Sequence, residues 1–521
     1  MRVIMKPLIS IAAAISVANK AHVLAAETVA PCCQILGDAS ALDGKVYLPS
    51  SAPYDARLES YWSLSAALRP WCMVLPSSAE DVSVIMKLLV EHHCHFGIRA
   101  GGHGGFPLSN SVQDGVTIDL GHMNTTTWNP ETGLASIQPG SQWQHVYESL
   151  APHGVVVAGA RIDSVGVGGF LTGGGLSFHK ASHGQACDNV ANFEVVLASG
   201  EIVNANASSH RDLWQALKGS SGNLGIVTRF DMYGIEYADP AKPVVWGGAV
   251  VYPESLGNGL IDAMVDFTDN IHKDENSSVI LAWAYNPEED DATLIQAMFA
   301  NTEAKVKPAA FDGFYAAEGM LSDDTRVASM AHLVKELGIT QVAGNHNAWY
   351  VSAFQNDARP MQYAVKRFYE LQKELEEVAP SPTSGLNVAL YFQSLSKSMT
   401  DKGIQKGGNV IGLERFTEKS NGILMLILVT VKDAESERLI VPRVEKFTDD
   451  LDLYAASLKL KWEWRYLNYA CAVQDAIASY GTRSVSMIRA AADKYDASGV
   501  FQSLRVSGFK IPKDHYSKTE L

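Results

Sequence analysis

The stretch "FGIRAGGHGGFPLSNS" runs from Phe96 to Ser111 and sets one histidine, His103, between two glycine pairs, directly after a short apolar run. Glycine accepts positive φ and lets backbone N–H groups approach an anion closely. Gly101, Gly102, Gly104 and Gly105 form this first cluster; Gly166, Gly168, Gly169, Gly173, Gly174 and Gly175 form a second one in "SVGVGGFLTGGGLSF", Ser164 to Phe178. Loops of bare amides suit a pyrophosphate, and equally suit two tight turns. The Rossmann order G-x-G-x-x-G between a first strand and helix is absent. His103 lacks metal partners at fixed spacing, because the His92-His93 pair stands on the preceding helix. As a base it would need an orienting group; as a nucleophile a neutral ring nitrogen could attack a cofactor carbon; as a loop residue it needs neither.

Around this stretch the pattern is strand, helix, strand. In "WCMVLPSSAEDVSVIMKLLVEHHCHFGIRAGGHGG", Ser77 and Glu80 predict a capping box, and Val82, Ile85 and Leu89 recur at helical spacing. Phe193 to Ala205 reads as a hairpin turning at Ser199-Gly200. From Val244 the chain alternates long strands (Val244–Tyr252, Val279–Tyr285, Ala348–Phe354, Val388–Gln393, Ile423–Val431) with long helices (Ser255–Ile271, Met361–Glu377, Glu437–Leu453). That alternation predicts an antiparallel sheet backed by helices. Near the end, "RYLNYACAVQDAIASYG" carries Tyr466, Asn468, Tyr469 and Tyr480. Strand alternation puts Tyr466 and Asn468 on one face and Tyr469 on the other, unless the strand bends. A tyrosine acts as base only where a cation or hydrogen bonds favour its ionised form.

With 521 residues, 42 Lys and Arg against 57 Asp and Glu, and a net charge of −15, the chain is an acidic, two-domain length of sequence. It has no basic run for nucleic acid. "MRVIMK" followed by "PLISIAAAISVA", with Val23-Leu24-Ala25 before Ala26, reads as a signal peptide over residues 1–25, too short in its apolar part to span a bilayer. No other segment is expected to cross a membrane. Sequons at Asn124, Asn206 and Asn276 fit that route as glycosylation sites. Of six cysteines, Cys32 or Cys33 could staple to Cys94, while Cys72 and Cys187 read as buried free thiols. No G-x-S-x-G hydrolase motif and no metal-ligand grid occur.

Together, "IRAGGHGGFPLSNSVQDGVTIDLGHMN", "SVGVGGFLTGGGLSF", "CDNVANFEVVLASGEIVNANASSHRDLWQALKGSSGNLGIVTRF" and "YLNYACAVQDAIASYG…KYDASGVFQSLRVSGFK" resemble fungal FAD-linked oxidoreductases of the berberine bridge enzyme-like group. These carry the FAD-binding domain shared by vanillyl-alcohol oxidase and p-cresol methylhydroxylase (PCMH). The resemblance implies an α+β, two-domain fold: a lead-in over 26–65, an FAD-binding domain over 66–240, a substrate domain over 241–464 with an antiparallel sheet backed by helices, and a C-terminal return over 465–521. It implies that His103 bonds to the flavin 8α carbon. Arg99, Ala100 and the glycines Gly101, Gly102, Gly104 and Gly105 would cradle the pyrophosphate. Ser164, Val165, Gly166, Gly168 and Gly169 would line the flavin ring, with Cys187-Asp188-Asn189 and Gly225, Ile226 and Val227 also near the cofactor.

Relatives with a second, cysteinyl link place the cysteine where Ile162 stands here, so a single covalent link is expected. Gly105 replaces the tyrosine of carbohydrate oxidases, which weakens a sugar-oxidase reading. The family's NYxD pattern reads "NYAC" with Cys471. Val165, at a position gating oxygen access, favours an oxidase with O2 as acceptor. By family match the base is Tyr469, with Tyr466 as rival and Asn468 hydrogen-bonding flavin or substrate; the sequence does not choose the activating cation. "LYFQSL" (Leu390–Leu395) and "GGNVIG" (Gly407–Gly412) are expected at the substrate. The expectation is a secreted oxidase of a small-molecule alcohol or secondary metabolite, with an oligosaccharide oxidase or a non-redox flavoprotein cyclase as alternatives.

Overall fold

A computed structural model describes residues 29–287, 290–339 and 343–513, so the expected signal peptide lies outside the described residues. The first sheet holds strands β1 (Val46–Tyr47), β2 (Cys72–Val74), β3 (Phe96–Arg99) and β4 (Val116–Asp119) in the order β1-β2-β4-β3. β4 pairs parallel with both β2 and β3. Helix α1 (Ala79–Glu91) makes the crossover from β2 to β3. Val82, Ile85 and Leu89 are fully buried along its inner stripe, each worth roughly 1.5–3 kcal/mol relative to exposure. The cap is one residue later than the sequence pattern placed it. Ser78 accepts from the Asp81 N–H, and the Ser77 N–H donates to the Asp81 carboxylate, because Asp81 rather than Glu80 faces the helix start.

Two disulfides tie the N-terminal segment to this sheet: Cys32–Cys94 and Cys33–Cys72. The first is one of the expected pairings. The second corrects the reading of Cys72 as a free thiol. Cys72 opens β2, beside the helix Pro31–Asp38, so the second of the adjacent cysteines reaches it. Cys187 is free and buried, as is Cys471.

A second sheet has the order β5-β6-β9-β7-β8, with β5 Thr126–Asn129, β6 Leu134–Ile137, β7 Val190–Val196, β8 Ile202–Asn206 and β9 Ile226–Tyr233. β7 and β8 form the expected hairpin. Between β6 and β7 the second glycine segment opens a short helix, α2 (Val167–Thr172).

The third sheet is antiparallel and has nine strands among the described residues. Its long members are β10 (Val245–Pro253), β11 (Ser277–Asn286), β12 (Asp290–Asn301), β13 (His346–Gln355), β14 (Asn387–Leu395) and β15 (Gly422–Val431), in the order β10-β12-β11-β14-β15-β13. The sequence pattern foresaw all but β12. Helices α3 (Gly257–Asn270), α4 (Ala358–Val378) and α5 (Ala434–Ser457) share a core with one face of this sheet. Side chains alternate along each strand. Leu390 and Phe392 of β14, with Met425 and Ile427 of β15, pack into the helix-side core; Tyr391, Gln393, Leu426 and Leu428 face a cavity.

From that sheet the chain returns to the first one. Tyr466 to Tyr469 is not the expected strand: Leu467–Tyr469 is a single 3-10 turn. The last described segment runs along the free edge of β3, where the Phe96 N–H donates to Leu504 O at 2.9 Å and the Val506 N–H to Phe96 O at 2.9 Å.

Candidate active site

The two glycine loops meet backbone to backbone. A Cβ on Gly101 would lie 2.4 Å from the Gly166 Cα, and one on Gly166 would lie 2.4 Å from the Gly101 Cα. Gly102 takes φ +74°, with the Arg99 guanidinium directly beneath it. These loops and the inner face of the nine-stranded sheet enclose a cavity of about 490 Å³, within the usual range for small-molecule sites.

Most residues singled out in the sequence come together on its wall. Ala100, Gly101, Gly102, His103, Gly104, Gly105, Val165, Gly166, Gly168, Gly169, Gly225, Ile226, Val227, Tyr466, Asn468 and Tyr469 all line it. Ile162 lines it too. Others do not. The Arg99 side chain turns away from the cavity, against the expectation that it faces an anion there. It donates to Asp119 at 3.2 Å and to Ser60 at 2.7 Å, and its guanidinium lies 3.8 Å over the Tyr61 ring. The carboxylate of Asp119, itself buried in β4, draws it under the loop. Ser164 sits behind the wall, with Oγ 3.5 Å from His103 Nε2. Cys187, Asp188 and Asn189 are buried away from the cavity, where Asp188 and Asn189 bond to Asn409 and Lys406. "GGNVIG" therefore braces that buried cluster instead of the cavity, whereas "LYFQSL" contributes Tyr391 and Gln393 to the wall.

His103 is held by aromatic rings. Its imidazole stacks on Trp62, and Trp349 approaches it edge-on. Burial lowers its pKa to about 4, so the ring is neutral near pH 7 and keeps a nucleophilic lone pair. Trp349 also meets Tyr469 edge-on, with centroids 5.3 Å apart, so one indole separates His103 from the tyrosine.

Arg161, like Arg505 and Trp62, is a residue that sequence reasoning missed. It lines the cavity at 5% exposure, and its Nη2 donates to Tyr469 Oη at 2.9 Å. Its Nη1 is buried without a partner. Tyr466 is buried as well, and burial together with the neighbouring Tyr469 pushes its pKa well above the ordinary value. Asn468 donates to Tyr466 Oη at 3.1 Å and to Phe170 O at 3.1 Å, which fixes the amide against the glycine segment. At another part of the wall stands Arg505, buried, donating to Asn223 Oδ1 and Phe509 O. Among the described residues no carboxylate pairs with it.

Ser109 Oγ and Asn110 Oδ1 on the first loop are also buried without partners. Gly169 has nothing within 4 Å of where a Cβ would stand. Bare loop backbone, orphaned polar atoms and two uncompensated guanidinium groups fit an extended, anionic, heterocyclic ligand such as a flavin dinucleotide.

Comparison with known proteins agrees. Residues 70–206 match the FAD binding domain family. The chain is 36% identical over 497 residues to the FAD-dependent monooxygenase drtC of Aspergillus calidoustus, covering 94% of this chain and 91% of that protein. In fold it is similar to 6-hydroxy-D-nicotine oxidase from Arthrobacter nicotinovorans (TM-score 0.71, 19% identity, 90% of this chain and 98% of that one). It is also similar to glucooligosaccharide oxidase from Acremonium strictum, described with a 6-S-cysteinyl, 8α-N1-histidyl FAD (TM-score 0.69, 18% identity, 90% and 98% covered). With that sequence match across its length and that site, the chain belongs to the FAD-linked oxidoreductases, and its fold is the one shared by berberine bridge enzyme-like and vanillyl-alcohol oxidase/PCMH flavoproteins.

Proposed function

We propose that this protein is a secreted FAD-linked oxidase that oxidises a small-molecule alcohol or secondary metabolite, with its flavin tethered through His103 alone. The observation that carries the reading is the pair Arg161–Tyr469, a buried cation on a phenol oxygen, on the wall of the cavity that also holds His103. When bound, the flavin supplies a two-electron acceptor for hydride and passes the electrons to O2, giving hydrogen peroxide.

The rest is the work of the chain. The loop backbone from Ala100 to Gly105, with Arg505, would hold the dinucleotide. His103, neutral and fixed by Trp62, would form the covalent link at the 8α carbon. Ile162 occupies the place of a second, cysteinyl link and carries no sulfur. Tyr469 would take the proton from the substrate hydroxyl, and Arg161 would meet the charge on the phenol oxygen. Tyr466, whose ionised form burial disfavours, suits a hydrogen-bonding role better than that of the base. Asn468 would keep Tyr466 in place.

For secretion, the support is the N-terminal sequence together with two disulfides, which persist in oxidising compartments. Of the three sequons, Asn124 is exposed, whereas the Asn206 amide nitrogen is engaged with Asn192. Glycosylation is therefore proposed first at Asn124.

Acid precipitation followed by peptide mass mapping tests the tether. Flavin mass on the His103 peptide is the expected result; flavin released whole into the supernatant overturns it. Because the Aspergillus relative is named a monooxygenase, oxygen insertion is the second reading. Turnover under ¹⁸O2 separates the two: label in peroxide supports the oxidase, and label in product supports insertion.

A further inference from the structure

Two groups far apart in sequence close on one carboxylate. Ser65 Oγ donates to Glu437 Oε1 at 2.6 Å, and His346 Nδ1 lies 2.8 Å from Glu437 Oε2. A carboxylate only accepts, so both ties are donated to it and His346 carries its proton on Nδ1. Hydrogen bonds to a charged acceptor are about twice as strong as neutral ones. Ser65 belongs to the lead-in segment, His346 opens β13, and Glu437 stands in the first turn of α5.

The lead-in here is a strap, residues 62–65, laid between two partners. On one side it holds the first glycine loop: the Trp62 N–H donates to Gly102 O at 3.1 Å, and Ser63 Oγ to Gly105 O at 3.4 Å. On the other side it holds the start of β13: the Leu64 N–H donates to Asn345 O at 2.9 Å, and the Gly344 N–H to Trp62 O at 3.1 Å. The Leu64 side chain is 41% exposed, so it adds little anchoring by burial. The Trp62 ring is buried, but against His103 and Trp349, the groups it has to place. The strap's tie to a charged group is Ser65 on Glu437.

We propose that Glu437 is a positioning residue for His103: it fixes the strap through Ser65, the strap fixes the Trp62 indole, and the indole holds the imidazole for its bond to the flavin. This rests on His103 being the tether. Forming that bond is a two-electron oxidation. One C–H bond at the 8α carbon and one N–H bond of the imidazole break, and one C–N bond forms. Two protons leave to solvent, and the two electrons pass by way of the flavin to O2. What the step asks of the chain is a ring nitrogen facing one carbon. His103 has only Gly102 and Gly104 beside it in sequence, so that orientation has to come from a ring stacked on it.

The test is a double-mutant cycle in the purified, flavin-containing protein. The flavin that stays on the His103 peptide after acid precipitation is compared with free flavin at a fixed time of expression. Total flavin and melting temperature are the controls. Glu437→Gln keeps the shape and removes the charge; it should lower the ratio of covalent to free flavin by about tenfold, the size of one hydrogen bond to a charged group. Ser65→Ala should act alike, and Ser65→Thr, which keeps the hydroxyl, should restore most of the ratio. In a Trp62→Ala background Glu437→Gln should cost nothing more, because the residue it acts through is gone. Far-ultraviolet circular dichroism gives an independent reading. The couplet of the Trp62–Trp349 pair, whose ring centroids lie 5.0 Å apart, should weaken in Glu437→Gln and vanish in Trp62→Ala. An unchanged ratio in Glu437→Gln, an equal further loss on top of Trp62→Ala, or an unchanged couplet overturns the proposal and leaves His103 as the tether. Wild-type flavin recovered wholly free overturns the tether and this proposal together.

Discussion

The Trp62 indole lies flat on the His103 imidazole, with ring centroids 4.6 Å apart and planes 7° from parallel. Trp62 stands in the lead-in segment and His103 between the two glycine pairs, so the stack locks a ring whose sequence neighbours have no side chains. Trp62→Ala should leave a larger share of the flavin non-covalent, seen as lost flavin fluorescence on a denaturing gel. His103→Ala should abolish the gel signal altogether. A covalent signal surviving in His103→Ala would place the tether elsewhere.

Tyr469→Phe should lower turnover by about 10²–10⁴-fold, the usual contribution of a positioned base, with flavin content unchanged. Tyr466→Phe should cost much less, since that phenol is buried and its ionised form disfavoured. Equal losses in the two variants would show that the roles are wrongly divided. Single-turnover reduction of the flavin is the measurement.

Val165 is half-buried on the cavity wall. On the proposed oxidase reading, a bulkier side chain there would narrow the approach of oxygen. Val165→Met should slow reoxidation of the reduced enzyme by about tenfold, equivalent to ~1.4 kcal/mol of barrier, and leave reduction by substrate nearly unchanged. Stopped-flow reoxidation that matches the wild type would remove Val165 from the oxygen path.

His179 and His183 stand edge to face near Lys406, away from the cavity. Burial, then the neighbouring cations, lowers their pKa values to about 3 and about 4 from 6.5. The unfolded chain therefore binds more protons than the folded one between about pH 6.5 and pH 3, and stability falls as pH drops through that window. The melting temperature should decline across it, and less steeply in His179→Gln. A variant curve parallel to the wild type would assign the acid sensitivity to other groups.

The Cys33–Cys72 bridge closes a loop spanning 39 positions of sequence. Replacing both cysteines by serine should destabilise the protein by about 2–4 kcal/mol, with the Cys32–Cys94 bridge intact by mass mapping. An unchanged melting temperature would mean the helix Pro31–Asp38 stays docked through its burial alone.

The long strands were legible because β-branched and aromatic residues gather in them between glycines and prolines, as in "GILMLILVTV". β12 was not. "DDATLIQAMFAN" begins with two acidic residues and holds three alanines, so its strand character comes from pairing with β10 and β11 instead of from its own composition. The flavin-side loops were legible as family motifs, yet the reason for Gly101 and Gly166 is the contact between them, which spacing does not reveal. Arg161 was invisible for a related cause. It stands 308 positions from Tyr469, on a loop with no periodicity, and only the docking of the C-terminal return brings the two together. Arg99 was carried into the pyrophosphate cradle by the resemblance, and only the fold reveals the buried Asp119 that holds its side chain.

That return also sets an order of assembly. The Ile98 N–H reaches Ser507 Oγ, 409 positions later, and Arg505 and Ser507 belong to the same cavity as His103. During translation the wall carrying His103 leaves the ribosome long before the wall carrying Tyr469 and Arg505 exists. The nascent chain thus holds an open half-site, and His103 meets a closed cavity only when the last strand-like segment zips onto β3. With His103 as the proposed tether, the covalent link would form only in chains whose two ends have found each other.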